Sequence, residues 1–177
     1  MIRFREFINE KATFSGRLKK WEKLIFESAI NFLNTKYNTS YNITLSIKKR
    51  ALKGKSHVFG HINLLDKNNK IVIEDSGTDM MIIYLIHEYI HIKQRNTNAI
   101  GISTDKKYIT WNGKNYISVV EYNSLSTDDY DKYKELPWEK EAITASKILN
   151  NEYFKSSNFK ELKGKDPTID FIIGNRN

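Results

Sequence analysis

The sequence has no cysteine, two prolines and eight glycines. Without cysteine there is no disulfide, no thiolate nucleophile and no thiolate metal ligand, so any metal chemistry must rest on histidine and carboxylate side chains. The longest uninterrupted apolar run, Met80 to Ile86, is far shorter than the roughly 20 residues of a membrane-spanning helix. The opening residues, MIRFREFINE, lack the continuous apolar segment of a secretory signal. We therefore expect no membrane span and no secretion through a signal peptide.

The length and composition indicate a single folded domain. With 177 residues, of which 40% are hydrophobic and 12% aromatic, the chain is long enough for one substantial core. No Gly/Ser-rich linker and no repeat of fixed period divides it. We predict a leader over residues 1–10, a domain over 11–155 and a polar tail over 156–177.

The spacing of apolar residues predicts an α+β fold with a small, mostly antiparallel sheet. Helical spacing indicates three helices, over residues 16–37, 78–95 and 137–149. The second helix follows Ser76-x-x-Asp79, which matches a capping pattern. β-Branched and alternating segments predict strands over 41–49, 57–65, 71–73, 108–111 and 116–122. The second and third of these strands are expected to form a hairpin. Asn112-Gly113 predicts a tight turn in a second hairpin, formed by 108–111 and 116–122. Residues 123–135 are expected to form a loop.

His87, Glu88 and His91 form an HExxH motif inside the predicted second helix. Residues at i and i+4 lie on one helical face, so both imidazoles can reach one Zn²⁺ at about 2.0–2.1 Å. Glu88 is rotated off this axis and can take a proton from water whose pKa zinc lowers toward about 7. The alternatives are two core histidines satisfied by hydrogen bonds, or an inactive scaffold. Burial of two unpaired imidazoles and a carboxylate costs several kcal/mol, which favours the metal site.

A catalytic zinc site needs a third protein ligand and leaves the fourth position to water. The extended motif HExxHxxGxxH is excluded, because Gln94 stands in the glycine position and Thr97 in that of the third histidine. His57 and His61 lie on one face of a predicted strand and are further candidates. We expect both to be ordinary strand residues.

The segment LPWEKEA, at the start of the last predicted helix, offers better third ligands. Glu139 lies in the first turn of that helix and can come beside the HExxH helix, and Ala142 one turn later allows close helix approach. Glu141 is the competing ligand. Its other interpretations are a solvated charge and a hydrogen-bond partner of a zinc-bound histidine.

The segments YLIHEYIHIKQ and LPWEKEA together resemble small zincin-fold metallopeptidases of the gluzincin type, many of them phage-encoded. In these proteins HExxHxxQ on one helix is followed by P-aromatic-E-x-E-A on the next. The resemblance covers residues 76–150. Glu139 follows His91 by 48 positions, a longer separation than in the familiar secreted members.

The resemblance implies His87, His91 and Glu139 as ligands of one Zn²⁺ and Glu88 as general base. It also implies an oxyanion donor, for which Tyr130 and Tyr133 are candidates. The alternative, which we favour, is that both are surface tyrosines. In a zincin, the strand at the open edge of the sheet binds extended peptide through its backbone, so residues 57–74 are candidates for that edge.

The first ten residues also resemble the short leader of internal head proteins of large tailed phages. In that group the prohead protease cuts after an aliphatic or small residue, any residue, and then Glu. Ile8-Asn9-Glu10 fits this rule and would make Lys11 the new N-terminus. The alternative is an ordinary amphipathic turn whose Phe4 and Phe7 pack on the core.

The formal net charge of +8 is concentrated at the beginning of the chain. Residues 1–60 hold 13 Lys and Arg against four Asp and Glu, whereas residues 61–177 hold 16 against 17. Such a region can attract nucleic acid by neutralising phosphates. No nucleic-acid motif accompanies it, so a Lys-rich solvated surface is the alternative.

The leading hypothesis is a zinc metalloprotease that acts on protein or peptide substrates, in the cytoplasm of a host cell or inside a phage virion. Two alternatives stay open. One is a basic, DNA-associated internal head protein on an inactive zincin-like scaffold, with weak non-specific DNA contact through its first third. The other is a zinc hydrolase of a non-protein amide.

Overall fold

The computed structural model describes residues 12–16, 18–48, 60–62 and 68–175, apart from the side chains of residues 60, 61 and 126–128. These residues form two β-sheets and seven helices, which confirms the α+β fold class. The first helix, α1 (Lys20–Lys36), lies within the segment predicted for it.

Sheet A contains β1 (Ala12–Ser15), β2 (Ile43–Lys48), β3 (Gly60–Ile62) and β4 (Lys70–Glu74), in the order β1-β2-β4-β3. β1, β2 and β4 are parallel, and α1 provides the crossover that joins β1 to β2. β3 is antiparallel to β4, as the predicted hairpin requires, and forms one edge of the sheet. The parallel pairing was not foreseen from the sequence.

Sheet B is a three-stranded antiparallel sheet of β5 (Ile100–Ile102), β6 (Tyr108–Trp111) and β7 (Lys114–Ser118). The turn between β6 and β7 consists of Asn112 and Gly113, with φ of 49° and 78°. Two successive positive φ angles define the type I′ turn whose twist matches a hairpin. The hairpin predicted from Asn-Gly is therefore confirmed.

The other helices are α2 (Thr78–Asn96), α3 (Val119–Asp128), α4 (Tyr130–Lys134), α5 (Pro137–Lys155), α6 (Ser157–Lys160) and α7 (Pro167–Gly174). The N-cap of α2 is Gly77, with φ of 89°, while the Ser76 hydroxyl donates to the Glu74 carbonyl. The predicted Ser76 cap is therefore wrong.

Helices α3 and α4 correct the prediction for residues 119–135, which were expected to continue a strand to 122 and then form a loop. The Ser118 hydroxyl accepts the Glu121 N–H at 3.1 Å and caps α3. The Asp129 carboxylate accepts the Lys132 N–H at 3.1 Å and caps α4. These caps satisfy amide groups that the first turn leaves unpaired, which favours helix over loop.

The main core lies between sheet A, α1, α2, α5 and the C-terminal helices. Its largest buried aliphatic side chains belong to Ile25, Ile30, Leu33, Leu45, Ile71, Ile73, Leu85, Ile86 and Leu149. A second cluster of Ile100, Ile109, Ile117, Leu136 and Trp138 joins sheet B to the start of α5.

Residues 156–175, separated from the domain as a polar tail in the sequence analysis, pack onto the main core. Phe159 of α6 and Ile169 of α7 are fully buried in it. The Ser28 hydroxyl of α1 donates to the Asn158 carbonyl at 2.8 Å. The Tyr153 hydroxyl of α5 donates to the Ile25 carbonyl at 2.9 Å, so the C-terminal part of the chain is bound to α1.

A buried hydrogen-bond network holds α2 against the end of α1. The Tyr89 hydroxyl, within the HExxH motif, donates to Asn34 Oδ1 at 2.7 Å and lies 2.7 Å from the Thr39 hydroxyl. Asn34 Oδ1 also accepts the Tyr41 N–H at 3.1 Å. The network fixes the rotation of α2 about its axis and thus the direction in which the motif histidines point.

Every helix in the part of the chain that the structure describes is too short or too polar to traverse a lipid bilayer.

Candidate metal centre

The two histidines of the HExxH motif lie on one face of α2. Their Nε2 atoms are 3.0 Å apart, and the two rings meet edge to face at 86°. This is the arrangement expected for residues at i and i+4 of a helix. Two nitrogen atoms of His87 and His91 therefore converge on one point.

The first turn of α5 brings Glu139 to the same point. Pro137 occupies the first helical position, where its missing N–H costs no hydrogen bond. Glu139 Oε2 lies 3.3 Å from His87 Nε2, and Oε1 lies 3.3 Å from His91 Nε2. The structure thus brings together the three residues that the sequence analysis assigned to zinc, and their ligand atoms all lie within 4.8 Å of one another.

The dimensions of this group fit a zinc ion. A tetrahedral Zn²⁺ with bonds of about 2.0–2.1 Å separates its donor atoms by about 3.3 Å. The His87 and His91 Nε2 atoms are 3.0 Å apart, and each lies 3.3 Å from one of the two Glu139 oxygens, which is close to that edge length. Two imidazoles and one carboxylate are also a donor set that zinc prefers. The group is therefore compatible with a bound metal ion.

The electrostatics of the group favour a bound cation. Burial acts to raise the pKa of Glu139, but His91 and His87 hold that pKa well below its usual range. Burial also acts against a charged His91, yet the Glu139 carboxylate raises the pKa of His91 to about 9. The buried Glu139 carboxylate therefore requires a positive charge beside it, which is either a protonated imidazole or a metal ion. A proton and a metal ion compete for the same histidine nitrogen atoms.

His87 is the most exposed residue of the group. The His87 side chain is 19% exposed, whereas the Glu139 side chain is only 5% exposed. His91 is also buried. Solvent therefore contacts the group mainly at His87.

Glu88 lies next to the group but outside it, since its carboxylate is not among the three clustered ligands. Burial raises the pKa of Glu88, while His91, His87 and a hydrogen bond from the Ile62 N–H act to lower it. A carboxylate with a raised pKa is suited to exchanging a proton near neutral pH.

Tyr133 lies on the Glu139 side of the centre. Burial raises the pKa of Tyr133, and the charge of Glu139 together with a hydrogen bond to it adds to the effect. The Tyr122 hydroxyl lies 3.3 Å from that of Tyr133. Tyr130 stacks on Tyr133 with ring centroids 6.3 Å apart and is 37% exposed. Of the two predicted oxyanion donors, Tyr133 is the one adjacent to a ligand.

Trp138 fixes the position of Glu139. Its side chain is fully buried and is surrounded by the rings of Trp111, Tyr116 and Tyr122, with centroids 6.0, 5.4 and 6.1 Å away. Sheet B and α3 thus anchor the residue that precedes the carboxylate. This explains what the long segment between the two motifs contributes to the site.

Glu141, the competing third ligand, is directed elsewhere. Its side chain is exposed, and its Oε2 accepts a hydrogen bond from Gln94 Nε2 at 3.2 Å. Gln94 Oε1 in turn lies 2.8 Å from His91 Nδ1. The geometry therefore places Glu139 in the metal group and Glu141 behind His91.

Two residues of the site were missed in the sequence analysis. Gln94 was noted as a departure from the extended motif and as the last residue of HExxHxxQ, but no contact was assigned to it, although its position three residues after His91 places both on one helix face. Tyr122 was predicted to lie in a strand, but it lies in α3, and its hydroxyl is 3.3 Å from that of Tyr133.

The remaining histidines have no assigned contact. His57 lies outside the described residues, and only the backbone of His61 is described. β3, which contains His61, is the last strand in the order of the described strands of sheet A, and the Ile62 N–H reaches Glu88. Ile62, within the segment 57–74 predicted as a peptide-binding edge, therefore lies next to the motif helix.

Comparison of the chain with protein-family models, with curated proteins and with solved structures gave no match.

Proposed function

We propose that this protein is a zinc metalloprotease in which His87, His91 and Glu139 hold the ion and Glu88 is the general base. The observation that carries the proposal is the convergence of His87, His91 and Glu139, from two separate helices, with one ligand atom of each within 4.8 Å of the others. Two imidazoles and one carboxylate are a donor set that zinc prefers.

Each remaining residue of the site has a chemical role in this reaction. Bound zinc supplies a Lewis acid that activates water and polarises the scissile carbonyl. Glu88 accepts the proton of the attacking water and delivers it to the departing amine. Its burial, which raises its pKa, supports both steps.

The edge of sheet A supports a peptide as the substrate. β3 pairs with β4 on one side only among the described strands, and apart from the Ile62 N–H, which bonds to Glu88, its other side offers backbone N–H and C=O groups. An extended peptide can pair with such an edge. The Ile62 N–H bond to Glu88 places that edge beside the general base.

The test is a zinc titration coupled to a hydrolysis assay. We expect one Zn²⁺ per chain, and cleavage of a fluorescently labelled unstructured protein that a chelator abolishes and added zinc restores. Failure to bind zinc would refute the proposal. Zinc binding with hydrolysis of small amides but not of peptides would point to the non-protein amide hydrolase.

We further propose that Tyr133 donates a hydrogen bond to the developing oxyanion. Tyr133→Phe should lower kcat, measured at saturating zinc, by about 10²- to 10³-fold, as the loss of one oxyanion donor does. Because Tyr133 also hydrogen-bonds Glu139, zinc affinity should fall by no more than about 10- to 100-fold. Tyr130→Phe is the matched control, because Tyr130 stacks on Tyr133 and is partly exposed. Equal kcat values for the two variants would remove Tyr133 from the mechanism.

A further inference from the structure

The side-chain amide of Gln94 has its orientation set by its neighbours on α5. Gln94 Nε2 lies 3.1 Å from the Trp138 carbonyl oxygen and 3.2 Å from Glu141 Oε2. Both neighbours are acceptors, so the NH₂ group must face them. The opposite orientation would place three oxygen atoms together in a residue that is only 2% exposed.

This orientation determines which nitrogen of His91 carries a proton. Gln94 Oε1 faces His91 Nδ1 at 2.8 Å, and an amide oxygen can only accept. Nδ1 is therefore the donor. The proton stays on Nδ1 in both the neutral and the charged imidazole, and Nε2 is the nitrogen left to face Glu139 and His87.

We infer that Gln94 is a positioning residue that fixes the tautomer and ring orientation of His91 for metal binding and couples the two ligand-bearing helices. The inference rests on the proposed zinc site. Metal-bound histidines commonly donate their second N–H to a carboxylate or a backbone carbonyl, and here a neutral amide takes that place.

The coupling follows from the residues that Gln94 contacts. The Trp138 carbonyl belongs to the residue immediately before Glu139, so one amide contacts both the α2 ligand His91 and the backbone beside the α5 ligand. A shift of α5 along α2 would break this contact. The exposed carboxylate of Glu141 completes the arrangement by accepting the second N–H of the amide.

Gln94→Met tests the role, because it keeps the length of the side chain and removes both the acceptor and the donors. We expect zinc affinity, measured by competition with a chromophoric chelator, to fall by about 10- to 100-fold. In ¹⁵N NMR of the protein before zinc is added, the wild type should show a protected His91 Nδ1–H that the variant lacks. A proton on Nε2 alone in the wild type would overturn the inference.

The double variant Gln94→Glu/Glu141→Gln provides a rescue and guards against misfolding of Gln94→Met. It exchanges donor and acceptor between the two positions, so residue 94 still accepts from His91 and the new amide donates to it, but the hydrogen bond to the Trp138 carbonyl is lost. The protected Nδ1–H should return, whereas zinc affinity should recover only in part, because the contact with the backbone beside Glu139 stays broken. If Gln94→Met binds zinc as tightly as the wild type, the positioning role fails. If the wild type binds no zinc, the proposed function fails, while the Nδ1–H measurement stands independently.

Discussion

Glu88→Gln is expected to lower kcat for peptide-bond hydrolysis by about 10²- to 10⁴-fold, the contribution of a well-placed general base, and to leave zinc affinity nearly unchanged. The amide matches the carboxylate in size and can still accept the Ile62 N–H. It cannot accept a proton from water. Because Glu88 lies outside the ligand group, the metal should remain bound.

The measurement is kcat on a labelled unstructured protein, with zinc content determined on the same sample. Glu121→Gln is the matched control, since Glu121 undergoes the same chemical change in an exposed position of α3. Turnover by Glu88→Gln close to that of the control would show that another group takes the proton.

Glu139→Ala is expected to have the second large effect, on metal binding itself. The variant removes one of the three proposed ligands. Loss of a residue that only positions a ligand lowers metal affinity by about 10- to 100-fold, so loss of Glu139 itself should lower zinc affinity by more than that. Glu141→Ala should lower affinity by less than about tenfold, because Gln94 keeps its bond to the Trp138 carbonyl. Competition with a chelator measures both.

This pair of variants separates the two candidate third ligands directly. Both substitutions remove a carboxylate from the first turns of α5, one from a side chain 5% exposed and one from the surface. A larger loss of affinity in Glu141→Ala would exchange the two assignments. Equal and small losses would mean that the carboxylate ligand lies elsewhere in the chain.

The parts of the fold that the sequence predicted correctly are those where local signals agree with tertiary packing. α2 and α5 have long apolar faces. The pair Asn112-Gly113 between two strand-like segments is specific for a tight hairpin turn. The HExxH spacing also placed two histidines on one face without any tertiary information. The approach of Glu139 could be proposed only because it begins a second helix.

The errors occur where β-branched residues or short helices mask a capping signal. Val119 and Val120 favour a strand, but Ser118 caps a helix, and this local hydrogen bond decides the outcome. α6 and α7 are too short to show periodicity, yet Ser156 and Asp166 accept N–H groups of their first turns. The hydrogen bonds of Gln94 to Trp138 and Glu141 join α2 to α5, so the pattern of α2 alone could not predict them.

The proposals on a phage leader and on DNA binding remain predictions from the sequence. The leader at residues 1–10, with its cleavage site after Glu10, lies outside the described residues. So do eight of the 13 basic residues of the first 60 positions. The charge of that region is a property of composition, and the arrangement of these groups in space decides whether it binds phosphate.

The contact between α1 and α6 has a consequence for biosynthesis. The Ser28 hydroxyl bonds to a carbonyl 130 positions later in the chain. At about 5–20 residues per second, a ribosome needs about 6 to 26 seconds to make that stretch. During this interval the part of α1 that faces α6 is uncovered. We expect α1 to be packed completely only after α6 has emerged from the exit tunnel.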